Sequence, residues 1–189
     1  MKKILLITLV VALCVSIVAC GGKKVADQTS NEQNKQTDEV TSAESSSKAE
    51  GSRMVISATK TELKAGDEFT LTLSIKENPG IFSFAFELPI NEAVFEFVSA
   101  DTSASVCTMF GVCDYDKTTS SYKFNGFNSS PLENLKVDGT IVTITLKVKE
   151  DANAGAYSIS ANPDAENIIN VDGDFVEFTG ASLSVNVTK

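Results

Sequence analysis

Apolar and polar residues alternate strictly along three stretches of this chain, residues 69–75, 142–148 and 182–187. A period of two places one face of a strand inward and the other toward water, which is typical of antiparallel sheets. Shorter strand-like segments and turn signals fill the intervals, without a long helical period. The pattern predicts an all-β domain over residues 53–189, an antiparallel β-sandwich of about nine strands. The apolar positions are Phe69, Leu71, Leu73, Ile75, Val142, Ile144, Leu146, Val148, Leu183, Val185 and Val187.

The strand predicted over residues 81–90 is the most informative one. Its strongly apolar face carries Phe82, Phe84, Phe86 and Leu88. Three phenylalanines on one face are compatible with a sugar platform, but so apolar a face is more often buried, and we predict that it lies in the core. The opposite face has small side chains and is the candidate docking face, formed by Ile81, Ser83, Ala85 and Glu87.

The N-terminus has the pattern of an exported protein. Two lysines precede an apolar run of about 15 residues, shorter than the roughly 20 that span a bilayer, so residues 1–19 are predicted to be a signal peptide. A membrane span is the alternative. Residues 17–20, Ile-Val-Ala-Cys, resemble the lipobox of bacterial lipoproteins. The resemblance implies cleavage after Ala19, a diacylglyceryl group on Cys20 and a lipid-anchored protein on the extracellular face of the cell membrane.

Residues 20–52 differ in composition from the rest of the chain. They are rich in serine, threonine, glutamate and lysine and contain no aromatic residue. Such a segment cannot bury enough apolar surface to offset its ordering entropy. We predict a disordered linker that begins at the lipidated Cys20 and ends at the domain boundary near Arg53.

Charge and composition exclude several classes of function. The formal net charge is −9, which opposes binding to nucleic acid. The chain contains no histidine, which rules out Ser-His-Asp catalysis and histidine-based zinc sites. No pair of carboxylates is placed for glycoside hydrolysis, so we expect no enzymatic activity and no cofactor.

Two cysteines remain after the signal peptide and the lipidation site are set aside. Cys107 and Cys113 are close in sequence, and an exported protein permits a disulfide between them. Two reduced thiols are the alternative, because the distance between the two residues cannot be read from the sequence.

The order of several motifs resembles that of cohesin modules. The motifs are Gly-Ile-Phe-Ser-Phe-Ala-Phe-Glu-Leu from residue 80, Asn-Glu-Ala-Val-Phe-Glu-Phe from 91, Asp-Gly-Thr-Ile-Val-Thr-Ile from 138, Ala-Gly-Ala-Tyr-Ser-Ile from 154 and Gly-Ala-Ser-Leu-Ser-Val-Asn-Val from 180. The resemblance implies a jelly-roll β-sandwich that binds dockerin modules of polysaccharide-degrading enzymes. This sequence differs from dockerin-binding cohesins at Ser83 and Ala85, where those modules carry an asparagine and an acidic residue.

Aromatic and acidic residues supply further candidate sites. With no tryptophan, the candidates for sugar stacking are Tyr115 and Phe110, predicted to lie in a loop around the two cysteines, together with Tyr122 and Phe127 on a strand, of which at least one is expected in the core. Weak calcium candidates are Asp114, Asp116, Asp172 and Asp174, although none falls in an EF-hand pattern.

Three functions are therefore open. The first is a lipid-anchored cell-surface module that docks a partner protein, such as a dockerin-bearing enzyme. The second is polysaccharide binding by the same sandwich, and the third is a structural spacer on the cell surface.

Overall fold

A computed structural model describes residues 43–44, 51–106, 110–128 and 132–189. These residues form strands and one 3-10 turn, η1 (Ala165–Asn167), and no helix among them is long and apolar enough to cross a membrane. The strands are β1 (Ala43–Glu44), β2 (Arg53–Ala58), β3 (Glu62–Lys64), β4 (Glu68–Lys76), β5 (Ser83–Pro89), β6 (Phe95–Asp101), β7 (Phe110–Asp116), β8 (Ser121–Phe127), β9 (Gly139–Val148), β10 (Gly155–Pro163) and β11 (Ala181–Thr188).

The strands form two sheets that share one core. Sheet one has the order β1-β2-β4-β9-β6, and sheet two has the order β3-β11-β10-β5-β8-β7. Neighbouring strands are antiparallel except β3 and β11, which run parallel. The predicted all-β sandwich is confirmed. The described strands outnumber the predicted nine partly because the short strands β1 and β3 lie at sheet edges.

The alternating stretches form the inner faces of both sheets, as predicted. In sheet one, β4 lies between β2 and β9, and its four apolar residues are at most 2% exposed. At about 25 cal/mol per Å² of apolar surface, burial of such side chains is the main favourable contribution to folding. The buried alternating residues are Phe69, Leu71, Leu73, Ile75, Val142, Ile144, Leu146, Val148, Leu183, Val185 and Val187.

The alternation of β5 changes at its beginning. Phe84, Phe86 and Leu88 are buried, as predicted, but Ile81 is fully buried and Phe82 is only half-buried. The backbone N–H groups of Phe82 and Ser83 both donate to the carbonyl of Ile169, at 2.7 and 3.1 Å. Two residues opposite one form a bulge, which inverts the sides on which preceding residues lie. The prediction was therefore wrong for Ile81, which faces the core, and for Phe82, which does not.

Aromatic rings connect the two sheets across the core. Phe86 stacks on Phe124, with centroids 5.4 Å apart, and Tyr122 lies between Phe86 and Phe97 at 6.3 Å from each. Phe97 belongs to sheet one and the other three to sheet two. Aromatic pairs contribute about 0.5–1.5 kcal/mol beyond their area burial, so this column of rings helps to fix how the sheets pack.

The predicted linker is partly structured. Ala43 and Glu44 form β1 and pair with Ala58 and Ser57 of β2. These two residues extend sheet one at its edge. The predicted signal peptide, Cys20 and the remaining linker up to residue 50 lie outside the described residues.

The Tyr122 hydroxyl is buried without a hydrogen-bond partner among the described residues. Its burial raises the pKa of the phenol well above its usual value, which keeps it neutral. An unsatisfied buried hydroxyl costs about 1–3 kcal/mol. We therefore expect Tyr122→Phe to raise the free energy of unfolding by about 1 kcal/mol in urea denaturation.

The matched control is Tyr157→Phe. The Tyr157 hydroxyl donates to the carbonyl of Asn153 at 2.8 Å, so its removal is expected to lower the free energy of unfolding by about 1 kcal/mol. A loss of stability in Tyr122→Phe equal to that in Tyr157→Phe would contradict the assignment of an unpaired hydroxyl.

Asp138 joins the end of β4 to the loop before β9. Its carboxylate accepts hydrogen bonds from the backbone N–H groups of Asn78, at 3.0 Å, and Glu77, at 2.9 Å. These bonds, that from Asn78 foremost, hold the pKa of Asp138 below its usual value. A carboxyl whose pKa is lowered by folding stabilises the protein above its unfolded pKa, and this stabilisation is lost as the pH falls through the folded pKa.

We expect Asp138→Asn to lower the thermal midpoint at pH 7. The difference from the unmodified chain should begin to shrink below about pH 3.8, the ordinary pKa of the group, and should vanish once the pH has fallen through the lower pKa of the folded protein, where Asp138 is protonated as well. Asp151→Asn, in an exposed turn, serves as the control. A difference that is independent of pH would show that the charge of Asp138 is unimportant.

Candidate docking surface

The outer face of sheet two is formed by strands β7, β8, β5 and β10. Their register aligns outward-facing side chains in rows across the sheet. One row joins Val112 of β7 to Asn125 of β8 and Ala85 of β5. A second row joins Asp114, Lys123, Glu87 and Asn162 on the four strands in that order.

One end of this face is apolar and exposed. Val112 is 64% exposed and Phe127 is 47% exposed. Phe82, turned outward by the bulge, lies with its ring centroid 6.3 Å from that of Phe127. We call Phe82, Val112 and Phe127 the apolar patch. Exposed aromatic and aliphatic side chains grouped on a sheet are typical of a protein contact surface.

A row of charged residues, Asp114, Lys123 and Glu87, lies beside the apolar patch. Lys123 Nζ also pairs with the carboxylate of Asp116 at 3.0 Å. The ion pair with Lys123, followed by hydrogen bonds from the Thr118 N–H and the Thr119 hydroxyl, holds the pKa of Asp116 far below its usual value. Asp116 therefore stays ionised and keeps the Lys123 ammonium positioned on the outer face.

A groove of about 300 Å³ runs between β8 and the end of β10, across β5. It arises because β10 pairs with β5 only at Asn162 and Pro163, after which the chain continues into η1. The groove places Lys123, Asn125 and Asp164 around the buried Ala85. The surface therefore combines an apolar patch, a charged row and a shallow groove.

The sequence-predicted docking face is only partly present. Ile81 is in the core, and Ala85 is 3% exposed since the segment after β10 packs beside it, with the Asp164 N–H bonded to the Ala85 carbonyl at 2.9 Å. Ser83 stays half-buried, and its hydroxyl already donates to the carbonyl of Asn167 at 2.9 Å. Glu87 is the predicted residue that remains available in the charged row.

Sequence reasoning missed Val112 and Lys123 and did not place Phe127 on this face. A signal for Phe127 exists in β8, where Tyr122 and Phe124 alternate with Lys123 and Asn125. Phe127 continues the polar series rather than the apolar one. A large aromatic side chain at a polar position of a strand is a sign of an exposed contact residue.

The candidates for sugar stacking do not form one platform. Tyr122 is fully buried, so its ring offers no face to a sugar and that prediction was wrong. Tyr115 is half-buried and lies in β7 rather than in a loop, opposite Tyr122. Phe110 is the first residue of β7, and its side chain is outside the described part of the chain. Phe127 is exposed, but on the outer face.

The calcium candidates are engaged in local structure. Asp114 and Asp116 lie in β7, not in a loop, and Asp116 pairs with Lys123. Asp172 and Asp174 belong to a turn in which both backbone N–H groups donate to the side-chain carbonyl of Asn170. Within the described residues, no three acidic or cysteine side chains come together as a metal site.

Cys113 is half-buried in β7, and burial raises the pKa of its thiol. Cys107 lies outside the described residues, so the two alternatives, a disulfide and a pair of reduced thiols, both stand as they were drawn from the sequence.

Comparisons with known proteins agree with this architecture. A cohesin-domain family model matches residues 54–167. The type I cohesin of the Coh-OlpC complex with a dockerin, from Clostridium thermocellum, superposes with a TM-score of 0.55 at 15% identity, covering 73% of this chain and 95% of that one. The non-cellulosomal cohesin of the archaeon Archaeoglobus fulgidus gives a TM-score of 0.54 at 13% identity, covering 74% and 92%.

A third similar structure is the sixth cohesin of scaffoldin B from Acetivibrio cellulolyticus, solved with a mutant Cel5 dockerin. Its TM-score is 0.54 at 15% identity, and the coverage is 73% of this chain and 98% of that one. No curated protein sequence matches this chain. Cohesin domains are protein-interaction modules that bind dockerin-bearing partners and are not enzymes, in line with the absence of activity expected from the sequence. The family match covers more than half of the chain, which therefore belongs to the cohesin family.

Proposed function

We propose that this protein docks a dockerin-bearing partner through the outer face of sheet two. The observation that carries the proposal is the apolar patch, in which Val112 and Phe127 are exposed to 64% and 47% on an otherwise polar outer face. The structures from Clostridium thermocellum and Acetivibrio cellulolyticus, described as cohesin–dockerin complexes, support the choice of partner.

The apolar patch is suited to supply most of the binding energy. A few well-buried aromatic and aliphatic anchors usually dominate an interface, while surrounding charges adjust its specificity and association rate. Here the anchors are Phe82, Val112 and Phe127, and the charged row contributes a cation between two carboxylates. Because Ser83 and Ala85 replace the polar residues of dockerin-binding cohesins and are partly covered, we expect the partner to depend on the patch.

The partner is proposed to be a polysaccharide-degrading enzyme. This expectation comes from the resemblance to cohesin modules, whose dockerins belong to such enzymes. The protein would then hold an enzyme at the cell surface without taking part in catalysis.

We expect Val112→Asp to weaken dockerin binding by at least about tenfold, because it places an unpaired charge in the apolar patch, where the partner would remove it from water. Phe127→Ser should have a similar effect through loss of its ring. The measurement is isothermal titration calorimetry of the full chain against the recombinant dockerin modules encoded in the same genome.

Val137→Asp is the matched control, since Val137 is 53% exposed but lies in the loop before β9, where its carbonyl accepts a hydrogen bond from the side-chain amide of Asn78, just after β4 of sheet one. It should bind dockerin as the unmodified chain does. Failure of the unmodified chain to bind any of these dockerins, or equal losses in Val112→Asp and Val137→Asp, would refute the proposed surface.

We also propose that the chain is a lipoprotein anchored through Cys20 on the extracellular face of the cell membrane. The lipobox-like residues 17–20 and the short apolar run before them support this. Two or more acyl chains give stable anchoring, whereas one gives only marginal binding.

We expect Cys20→Ala to abolish incorporation of radiolabelled palmitate and to prevent cleavage of the signal peptide, so that the precursor accumulates. The control is Cys14→Ala, which changes a cysteine inside the predicted signal peptide and should leave labelling intact. Palmitate labelling that survives in Cys20→Ala, or that is lost in Cys14→Ala, would refute the assignment of Cys20.

A further inference from the structure

A second groove, of about 440 Å³, lies at the edge of the sandwich between β6 of sheet one and β7 of sheet two. Its volume falls in the range of roughly 300–1,000 Å³ that is usual for small-molecule sites. It is separate from the docking surface: Tyr115 pairs across the ladder with the buried Tyr122, whereas Val112 and Asp114 pair with residues of the outer face. The function of this groove is independent of the proposed docking of a dockerin.

Two stacked rings line the groove. Phe97 from β6 and Tyr115 from β7 are nearly parallel, with centroids 4.6 Å apart and an angle of 9° between their planes. Both are half-buried, so part of the pair remains accessible. The Tyr115 hydroxyl donates to the Glu92 carboxylate, which fixes both groups at the groove. This hydrogen bond is also the main reason that the pKa of Glu92 lies below its usual value, so that Glu92 is an ionised acceptor.

Four charged side chains surround these rings and balance one another in sign. Glu92 and Glu96 contribute two carboxylates, and Lys117 and Lys149 contribute two ammonium groups. Among the described residues, neither lysine forms an ion pair within 4.0 Å. The groove is therefore neutral as a whole, although the chain has a net charge of −9. In the described structure, its two lysines are not engaged in ion pairs with its two glutamates.

This combination defines the chemistry of a ligand. Carboxylates only accept hydrogen bonds and ammonium groups only donate them, so a ligand that satisfies both must carry donors and acceptors side by side. A neutral groove gives no advantage to a strongly charged ligand. To contact the exposed part of the aromatic pair, the ligand must also have an apolar surface next to those polar groups. A sugar has hydroxyls that both donate and accept, no net charge and an apolar ring face.

We propose that the groove between β6 and β7 binds a neutral oligosaccharide. Tyr115, supported by the stacked ring of Phe97, contacts the apolar face of one sugar ring, and the four charged side chains hydrogen-bond to its hydroxyls. The protein would thereby contact a polysaccharide directly, at a site apart from its docking surface.

The test is calorimetry of the full chain, in a detergent that contains no sugar, against cellohexaose, xylohexaose and mannohexaose. We expect saturable binding of at least one of these and a loss of affinity of about tenfold or more in Glu96→Gln and in Lys117→Met, since each removes a charged hydrogen-bonding group. The matched controls are Glu133→Gln and Lys136→Met, which change exposed residues of the loop before β9 and should bind normally.

Tyrosine fluorescence gives a second readout, because the chain contains three tyrosines and no tryptophan. Sugar binding should change the tyrosine emission, and Tyr115→Phe should abolish that change while calorimetry still detects binding through the retained ring. The proposal is refuted if none of the three oligosaccharides binds at millimolar concentration, if the groove variants bind as tightly as the controls, or if the emission change persists in Tyr115→Phe.

Discussion

The structure depends on the burial of one aromatic row between two sheets. Phe84 and Phe86 of β5 pack with Phe124 of β8 inside the sandwich, and this orientation fixes the side chains that must point outward. Successive side chains of a strand point to opposite faces, so the residues that are buried in the core also determine which residues lie on the surface. The outer face of sheet two is thus a consequence of core packing, and variation of its outward residues leaves the core intact.

The bulge at Phe82 and Ser83 links that core to the surface. It places Ile81 inside and turns Phe82 toward Phe127, which creates an apolar patch on a face that is otherwise polar. The chain segment after β10 reduces the accessible surface of β5, because it covers Ala85 and accepts a hydrogen bond from the hydroxyl of Ser83. As a result of these two local features, the exposed apolar surface lies on β7, β8 and the start of β5 and not at the middle of β5.

Much of the fold was predictable because alternation is a local property. The stretches that became β4, β9 and β11 showed it plainly, as did the apolar series Phe84, Phe86 and Leu88. The bulge depends on hydrogen bonds to the carbonyl of Ile169, more than eighty residues away, so no local sequence pattern predicts it. The strand character of β7 was also missed, since the segment around Cys107 and Cys113 was predicted to be a loop. Val112 and Lys123, which we propose as binding residues, could not be predicted because their exposure depends on the order of the strands in the sheet.

The central claim is that the outer face of sheet two contacts the partner. The most direct measurement is chemical acetylation of lysines, read by mass spectrometry, with and without a bound dockerin. Lys123 lies on that face, and Lys147 lies on β9 of sheet one with similar partial exposure. The account predicts that dockerin protects Lys123 and leaves Lys147 reactive. Protection of Lys147 with no change at Lys123 would contradict it.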